Sequence, residues 1–307
     1  MEHWLENERN REYVQRLRSL LSEKDTPVFI FLGAGLSFGV DRGRAMFERD
    51  EFDDNRRFPS WPQLIKRMQK SLLSDPVLEP FKDAVNHFFE EESALDCAEL
   101  FRNYTHGPNY WDFLRNQFGS KPDDVHYLTR SHDGLTRLPI KRIFTTNYDE
   151  LIETAYRAKG IRIRVSSSSR DFMDHRATQD THHLIKLHGT MDQPDTIVLT
   201  RSDYAKSRHE RSEMFRYLTD QFEYASFLFV GFSLLDPNFN ILFDEAHYIR
   251  GGKNPISYVV QARKDPIREA YLRSLGVNAI TLTYWEQLPT FLSAIHPNTD
   301  LASLPPY

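Results

Sequence analysis

A chain of 307 residues is long enough for one large α/β domain, or for one domain with a sizeable insertion. With 40% hydrophobic and 27% charged residues it reads as a soluble globular protein, and a net charge of −5 gives no sign of a nucleic-acid-binding surface. No apolar run approaches the roughly 20 residues of a membrane helix, the charged opening MEHWLENERNREYV is not a secretory signal, and a lone cysteine, Cys97, excludes an intrachain disulfide and a multi-cysteine zinc module.

Cys97 sits among Ala94, Leu95, Ala98 and Leu100, the setting of a buried core thiol, and a reducing cytoplasm is the expected compartment. Residues 2–23 predict a helix, with Val14, Leu17 and Leu21 at i, i+3 and i+7. The stretch TPVFIFLGAGLS, 26–37, follows. Its apolar run Val28 to Leu32 is too short for a helix and reads as a strand buried on both faces. Gly33-Ala34-Gly35 turns the chain at once, and Ser37 stands where a helix could begin. A strand, a glycine turn and a helix start together make an anion site, usually for phosphate. The pattern departs from the dinucleotide fingerprint: Phe38 occupies the third glycine position, Gly39 comes one late, and no acidic residue closes a second strand about twenty residues on. On this stretch alone, a tight turn without a ligand fits equally well.

Residues 40–58 are rich in Arg, Asp and Glu and read as a mobile solvated loop, with closure over a ligand as the alternative. From Pro59 the chain turns helical: Ser60 can cap, Pro62 suits a first turn, and Leu64, Ile65, Met68 and Leu72 form one stripe. Further helices are expected over 76–91, 93–104, 109–118 and 122–130, so that 40–130 reads as a helical insertion into an α/β domain. Its dense aromatics, at helical spacing, are core residues rather than a base-stacking platform.

Strands are expected at 142–146, 161–165, 184–187, 226–230, 256–261 and 277–283, with a short apolar piece at 197–199 and a polar connection at 166–169. Helices are expected from Leu151, over 202–224, from Asp236-Pro237, and over 265–275 and 284–295. Alternating strands and helices predict a Rossmann-like, doubly wound, mainly parallel sheet, with one domain over 1–307. Four strands end in small or polar residues: GAGLS, TTNYD, LHG and GFS. Each ending has a plain structural explanation, such as a turn, a cap for Asp149, or room for a neighbour at Gly231. Ligands of open α/β sheets lie beyond the carboxyl ends of the strands, so four such endings together point to one crevice.

GAGLS (33–37), TTNYD (145–149), LHG (187–189) and GFS (231–233) resemble, in order and spacing, the four NAD-binding motifs of the sirtuin fold. The resemblance spans 26–283; PSW at 59–61 and DPN at 236–238 are most similar to the bacterial sirtuin-like branch of antiphage defence, whose members hydrolyse NAD. It implies that Gly33, Ala34, Gly35 and Ser37 hold the pyrophosphate, that Asn147 and Asp149 line the nicotinamide–ribose pocket, and that Thr146 also contacts NAD. His188 is implied as the base at the ribose, and Gly231, Phe232 and Ser233 as the face toward the adenosine-side ribose or phosphate. The four zinc-binding cysteines of sirtuin deacylases are missing, as is their GIPDFR-like segment, which puts acyl-lysine binding in doubt and leaves the NAD crevice intact.

The chemistry agrees. Cleaving the N-glycosidic bond of NAD develops oxocarbenium-like charge at the ribose, so the protein must place a nucleophile and stabilise charge. Asn147 orients water or hydroxyls without a competing charge, and an imidazole suits a general base near neutral pH. His175, His182 and His183 lack metal-site spacing, so no metal is expected. The expectation is an NAD hydrolase giving nicotinamide and ADP-ribose, linear or cyclised. The alternatives are an NAD-dependent deacylase, a catalytically silent NAD or nucleotide sensor, and a structural subunit with a vestigial pocket. Because such an enzyme is toxic and no sensor domain is recognisable, control is expected through assembly. That means a homo-oligomer, or a separately encoded partner such as a nucleic-acid-handling ATPase, contacted through the N-terminal helix and the insertion.

Overall fold

A computed structural model describes residues 4–23, 27–37, 58–105, 107–119, 128–176 and 181–304. The 40–58 loop therefore lies outside the described residues, save Phe58, and so do Phe38, Gly39 and most of the expected 122–130 helix. Seven strands form one wholly parallel sheet: β1 (Val28–Leu32), β2 (Arg142–Thr145), β3 (Ile163–Ser166), β4 (His182–Lys186), β5 (Ser226–Val230), β6 (Ser257–Gln261) and β7 (Val277–Thr281). Their order is β3-β4-β2-β1-β5-β6-β7.

The apolar run of β1 places it at the centre. Ile30 and Leu32 enter one core with Val14 and Leu17 of the helix Glu8–Ser22 and with Phe291 of Leu288–Ile295. Phe29 and Phe31 point the other way, into a core with Met214 and Phe222 of Ser212–Tyr224 and Phe239 of Pro237–Ile249. Period-two alternation with both sets apolar is what a strand covered on both faces requires. Strand order reverses beside β1, where β2 lies on one side and β5 on the other. That is the position at which open α/β sheets bind ligands.

The helices Trp61–Leu73, Lys82–Glu91, Ala94–Thr105 and Gly107–Phe118 build a third core of their own, containing Leu64, Met68, Phe101, Tyr110 and Leu114. It closes on the sheet's loops through Leu151, Met191, Ile197 and Leu199. Cys97 is buried there, as its apolar spacing indicates.

Several elements differ from the sequence reading. A helix stands at Arg130–Arg137, where the polar run RSHDGLTR hides an apolar face: Leu135 is buried, and Gly134 lies so close to Leu292 that an added Cβ would meet its side chain at 3.2 Å. The connection after β3 continues directly into a helix, Ser169–His175, because the Ser168 hydroxyl accepts from the Asp171 N–H at 3.2 Å. Residues 197–199 form no strand. The expected helix over 202–224 is two, Arg201–Glu210 and Ser212–Tyr224, broken at Arg211, whose guanidinium turns inward to the carbonyls of Leu187 and Thr196.

Candidate active site

A cavity of about 600 Å³ opens over the carboxyl ends of β1, β2, β4 and β5. All four polar strand endings reach it: Ala34, Gly35 and Ser37 from the first, Thr146, Asn147 and Asp149 from the second, His188 from the third, and Gly231, Phe232 and Ser233 from the fourth. Of the residues assigned above to NAD, Gly33 alone is not in its wall.

The glycines of the first and fourth endings serve close approach. Gly33 N–H donates to the Val230 carbonyl at 3.0 Å, and Gly35 N–H to the Gly231 carbonyl at 2.9 Å. A Cβ on Gly33 would lie 2.5 Å from the Gly231 oxygen, and one on Gly231, where φ is +64°, would lie 2.5 Å from the Leu36 nitrogen. Two backbones thus touch where any side chain would separate them. This contact also consumes donors: Leu36 and Ser37 N–H groups are bonded within the turn, to Gly33 and Ala34 carbonyls at 3.0 and 3.1 Å. Among the described residues, Ala34 keeps the one unpartnered amide of this turn, and Phe232 and Ser233 keep theirs in the fourth ending. The turn runs into a single 3-10 turn, Ala34–Leu36, and no longer helix starts at Ser37 within the described residues. Trp285 fixes the turn from behind, its indole N–H donating to the Gly35 carbonyl at 2.9 Å.

Beneath the cavity lies a buried polar layer. Thr145 Oγ1 donates to the Leu32 carbonyl at 2.9 Å and accepts the Asn147 N–H at 3.0 Å, locking the end of β2 to β1. The Asn147 amide nitrogen donates to the Gly33 carbonyl at 3.2 Å and to Ser37 Oγ at 3.4 Å. Its amide oxygen is thereby fixed in orientation, and no described residue donates to it. Ser37 Oγ donates to Asp149 Oδ2 at 3.0 Å, while Asp149 Oδ1 accepts the Leu151 N–H at 3.1 Å at the start of the helix Leu151–Ala158. The turn-and-cap explanation of Asp149 is thus part of its role. Lys186, fully buried, donates to the Asp149 carbonyl at 2.6 Å and to Glu153 Oε1 at 2.8 Å. Burial pushes the Asp149 carboxyl up, with Lys186 pulling against it.

His188, 4% exposed, lies between two aromatic rings: Tyr148, stacked at 6.5 Å, and Tyr204, edge-on at 5.1 Å. Its Nε2 is 3.4 Å from Asp236 Oδ2. The same oxygen accepts the Tyr204 hydroxyl at 2.6 Å, and Asp236 Oδ1 caps the helix Pro237–Ile249 through the Phe239 N–H at 2.9 Å. Burial lowers the imidazole's pKa below the ordinary histidine value, the Asp236 charge acting the other way and Arg211 adding to the decrease. The ring is therefore neutral near pH 7.

The helical region lines the cavity mainly with apolar side chains. Phe58, Pro59, Trp61, Leu64, Leu95 and Phe118 come from it, together with Ser60 and Ser93. Sequence reading did not assign these residues to the site, nor Tyr204 and Asp236. Asp236 was visible as a cap, but its second carboxylate oxygen was not, and Tyr204 is the lone aromatic of an otherwise polar helix. No group of His, Cys, Asp and Glu suited to a metal occurs among the described residues.

With this geometry in place, comparison with protein families finds that residues 141–280 match the SIR2-like domain. The chain is similar to SIR2-like domains over that stretch. It is 25% identical over 288 residues to the NAD(+) hydrolase ThsA of Bacillus cereus (strain MSX-D12), covering 88% of this chain and 54% of that protein. To the NAD(+) hydrolase ThsA of Cytobacillus dafuensis it is 30% identical over 228 residues, covering 73% and 39%. To the Defense-associated sirtuin 2 of Bacillus subtilis it is 21% identical over 249 residues, covering 76% and 22%. The chain thus spans about half, or less, of the length of the curated relatives it matches. A solved Sir2 homologue bound to ADP-ribose aligns with 92% of this chain and 95% of its own at a TM-score of 0.46 and 13% identity. The matched residues include the second, third and fourth strand endings, and the glycine turn of β1 meets them at the cavity.

Proposed function

We propose that this sirtuin-like domain hydrolyses NAD at the bond between nicotinamide and ribose. The observation that carries this reading is the pair formed by Asn147 and His188 at the ends of two strands on one cavity, an oriented amide oxygen and a neutral imidazole. Relatives named NAD(+) hydrolase support it. Asn147 Oδ1 accepts a hydrogen bond from the attacking water or a ribose hydroxyl, and His188 takes the proton. Asp149 and Asp236 supply negative potential where positive charge develops. The apolar wall of Phe58, Trp61, Leu95 and Phe118 keeps bulk water from the bond. The pyrophosphate is held by the unpartnered amides of Ala34, Phe232 and Ser233, while Gly33 and Gly35 act by close packing and Ser37 through Asp149 and Asn147.

NAD is the substrate, and no metal takes part. The likeness to a defence-associated sirtuin supports a role as a cell-depleting antiphage effector. The chain works as one sirtuin-like domain, 1–307, with a 40–130 insertion whose residues Phe58, Trp61, Leu95 and Phe118 line the cavity. It is cytoplasmic and controlled by assembly, as a homo-oligomer or on a separately encoded partner such as a nucleic-acid-handling ATPase. No described helix is long and apolar enough to cross a membrane.

Incubation with NAD, with products separated by chromatography, tests the activity. Nicotinamide and ADP-ribose should appear without any acylated peptide and vanish with Asn147→Ala. Unchanged cleavage by that variant would remove Asn147 from the mechanism, and strict dependence on an acetyl-lysine peptide would make the protein a deacylase.

A further inference from the structure

The DPN segment, 236–238, begins a helix, and capping alone would explain its aspartate. Capping uses only Oδ1, however. Oδ2 lies 2.6 Å from the Tyr204 hydroxyl and 3.4 Å from His188 Nε2, with 11% of the side chain exposed. A carboxylate accepts hydrogen bonds and donates none. Its charge therefore favours the imidazole tautomer with hydrogen on the nearer nitrogen, Nε2, over a bare lone pair there.

We propose that Asp236 is a positioning residue: its carboxylate, anchored by the Tyr204 hydroxyl and by the helix start, holds His188 as the Nε2–H tautomer and leaves Nδ1 as the basic atom. No described residue pairs with Nδ1. The assignment rests on the NAD-hydrolase reading for its catalytic meaning but not for its structure. During proton transfer the lone pair on Nδ1 takes a proton from water or a ribose hydroxyl. The imidazolium that forms has hydrogen on both nitrogens, and its charge faces Asp236. A buried imidazolium without that partner would be costly.

The groups packed around the ring are few. Asp236 faces it from the start of Pro237–Ile249, Tyr204 from Arg201–Glu210, Tyr148 from the β2 ending, and Arg211 from the break between two helices. Asp236 is the only anion that acts on it, and Arg211 the only cation, among the described residues. Removing the carboxylate charge leaves Arg211 unopposed and lowers the histidine's proton affinity further.

Two measurements test this. Selective ¹⁵N-histidine labelling of the full chain, with long-range ¹H–¹⁵N correlation and His188→Gln for assignment, reads the tautomer in the absence of NAD. The proposal expects the Nε2–H form, and the Nδ1–H form overturns it. Asp236→Asn keeps a good helix cap and removes the charge. It should lower kcat by about 10- to 100-fold, as loss of an orienting partner commonly does, with KM changed less. The acid limb of the kcat/KM profile should move to lower pH, a shift that a merely structural cap would not produce. An unchanged limb and unchanged kcat would overturn the assignment. If the wild-type protein cleaves no NAD, the functional reading fails, while the tautomer still decides the Asp236–His188 pairing.

Discussion

The two walls of the cavity are built on different principles. The strand-end wall is polar, with nearly every group tied to another: Asn147 to Gly33 and Ser37, Ser37 to Asp149, Lys186 to Asp149 and Glu153, and His188 facing Asp236. Each donor is set by backbone that the sheet itself fixes, so these groups have little freedom to move. The helical wall presents Phe58, Trp61, Leu64, Leu95 and Phe118, large apolar side chains of which Phe118 lies edge-on to Tyr148 at 5.1 Å. Substitution in the first wall breaks a network in which each member orients the next, whereas substitution in the second removes area. In the proposed reaction, chemistry belongs to one wall and enclosure to the other.

That contrast predicts unequal mutational effects. Asn147→Ala and His188→Ala should each lower NAD turnover by about 10³-fold or more, with thermal midpoints close to the parent. Turnover rates and melting curves on the same preparations check this, and a mild kinetic effect would mean that the polar wall is not where the reaction occurs. Gly231→Ala attacks the junction that holds the wall together. Its φ of +64° and the 2.5 Å approach to Leu36 N leave no room for a methyl group, so a loss of at least about 1–3 kcal/mol is expected by chemical denaturation.

Trp61→Ala on the apolar wall should raise KM about tenfold and change kcat by only a few-fold, because it removes contact area without touching the reacting groups. A fall in kcat matching that of Asn147→Ala would erase the distinction between the walls. The smallest effect concerns pH. In the proposed mechanism His188 acts as the neutral form, and burial depresses its pKa. Activity should therefore persist as pH falls through the ordinary histidine value of about 6.5 and fail only below it. A rate profile that declines above that value would contradict the buried, neutral histidine.

How much of this could be read in the sequence also follows the division. Strands such as SFLFV and VFIFL declare themselves, because both faces are covered and no polar residue interrupts them. The four endings were legible because strands of a parallel sheet deliver their carboxyl ends to one edge. What escaped was everything fixed by tertiary contact. The helix RSHDGLTR carries its apolar side in two or three residues only, too few for a periodic signal. Arg211 breaks a helix because two distant carbonyls draw its guanidinium inward. The amides of Gly33 and Gly35, expected to face phosphate, are spent on Val230 of β5 and on Gly231 just after it, a pairing no local pattern announces. Asp236 was legible as a cap but not as the neighbour of His188, which lies 48 positions earlier in the chain.

The central claim, that the polar wall directs water onto the ribose, is tested most directly by running the reaction in H₂¹⁸O and weighing the products. The account predicts nicotinamide release without added peptide and one heavy oxygen in the linear ADP-ribose, with neither product formed by Asn147→Ala. Nicotinamide release that needs an acyl-lysine peptide, or linear ADP-ribose without heavy oxygen, would contradict it.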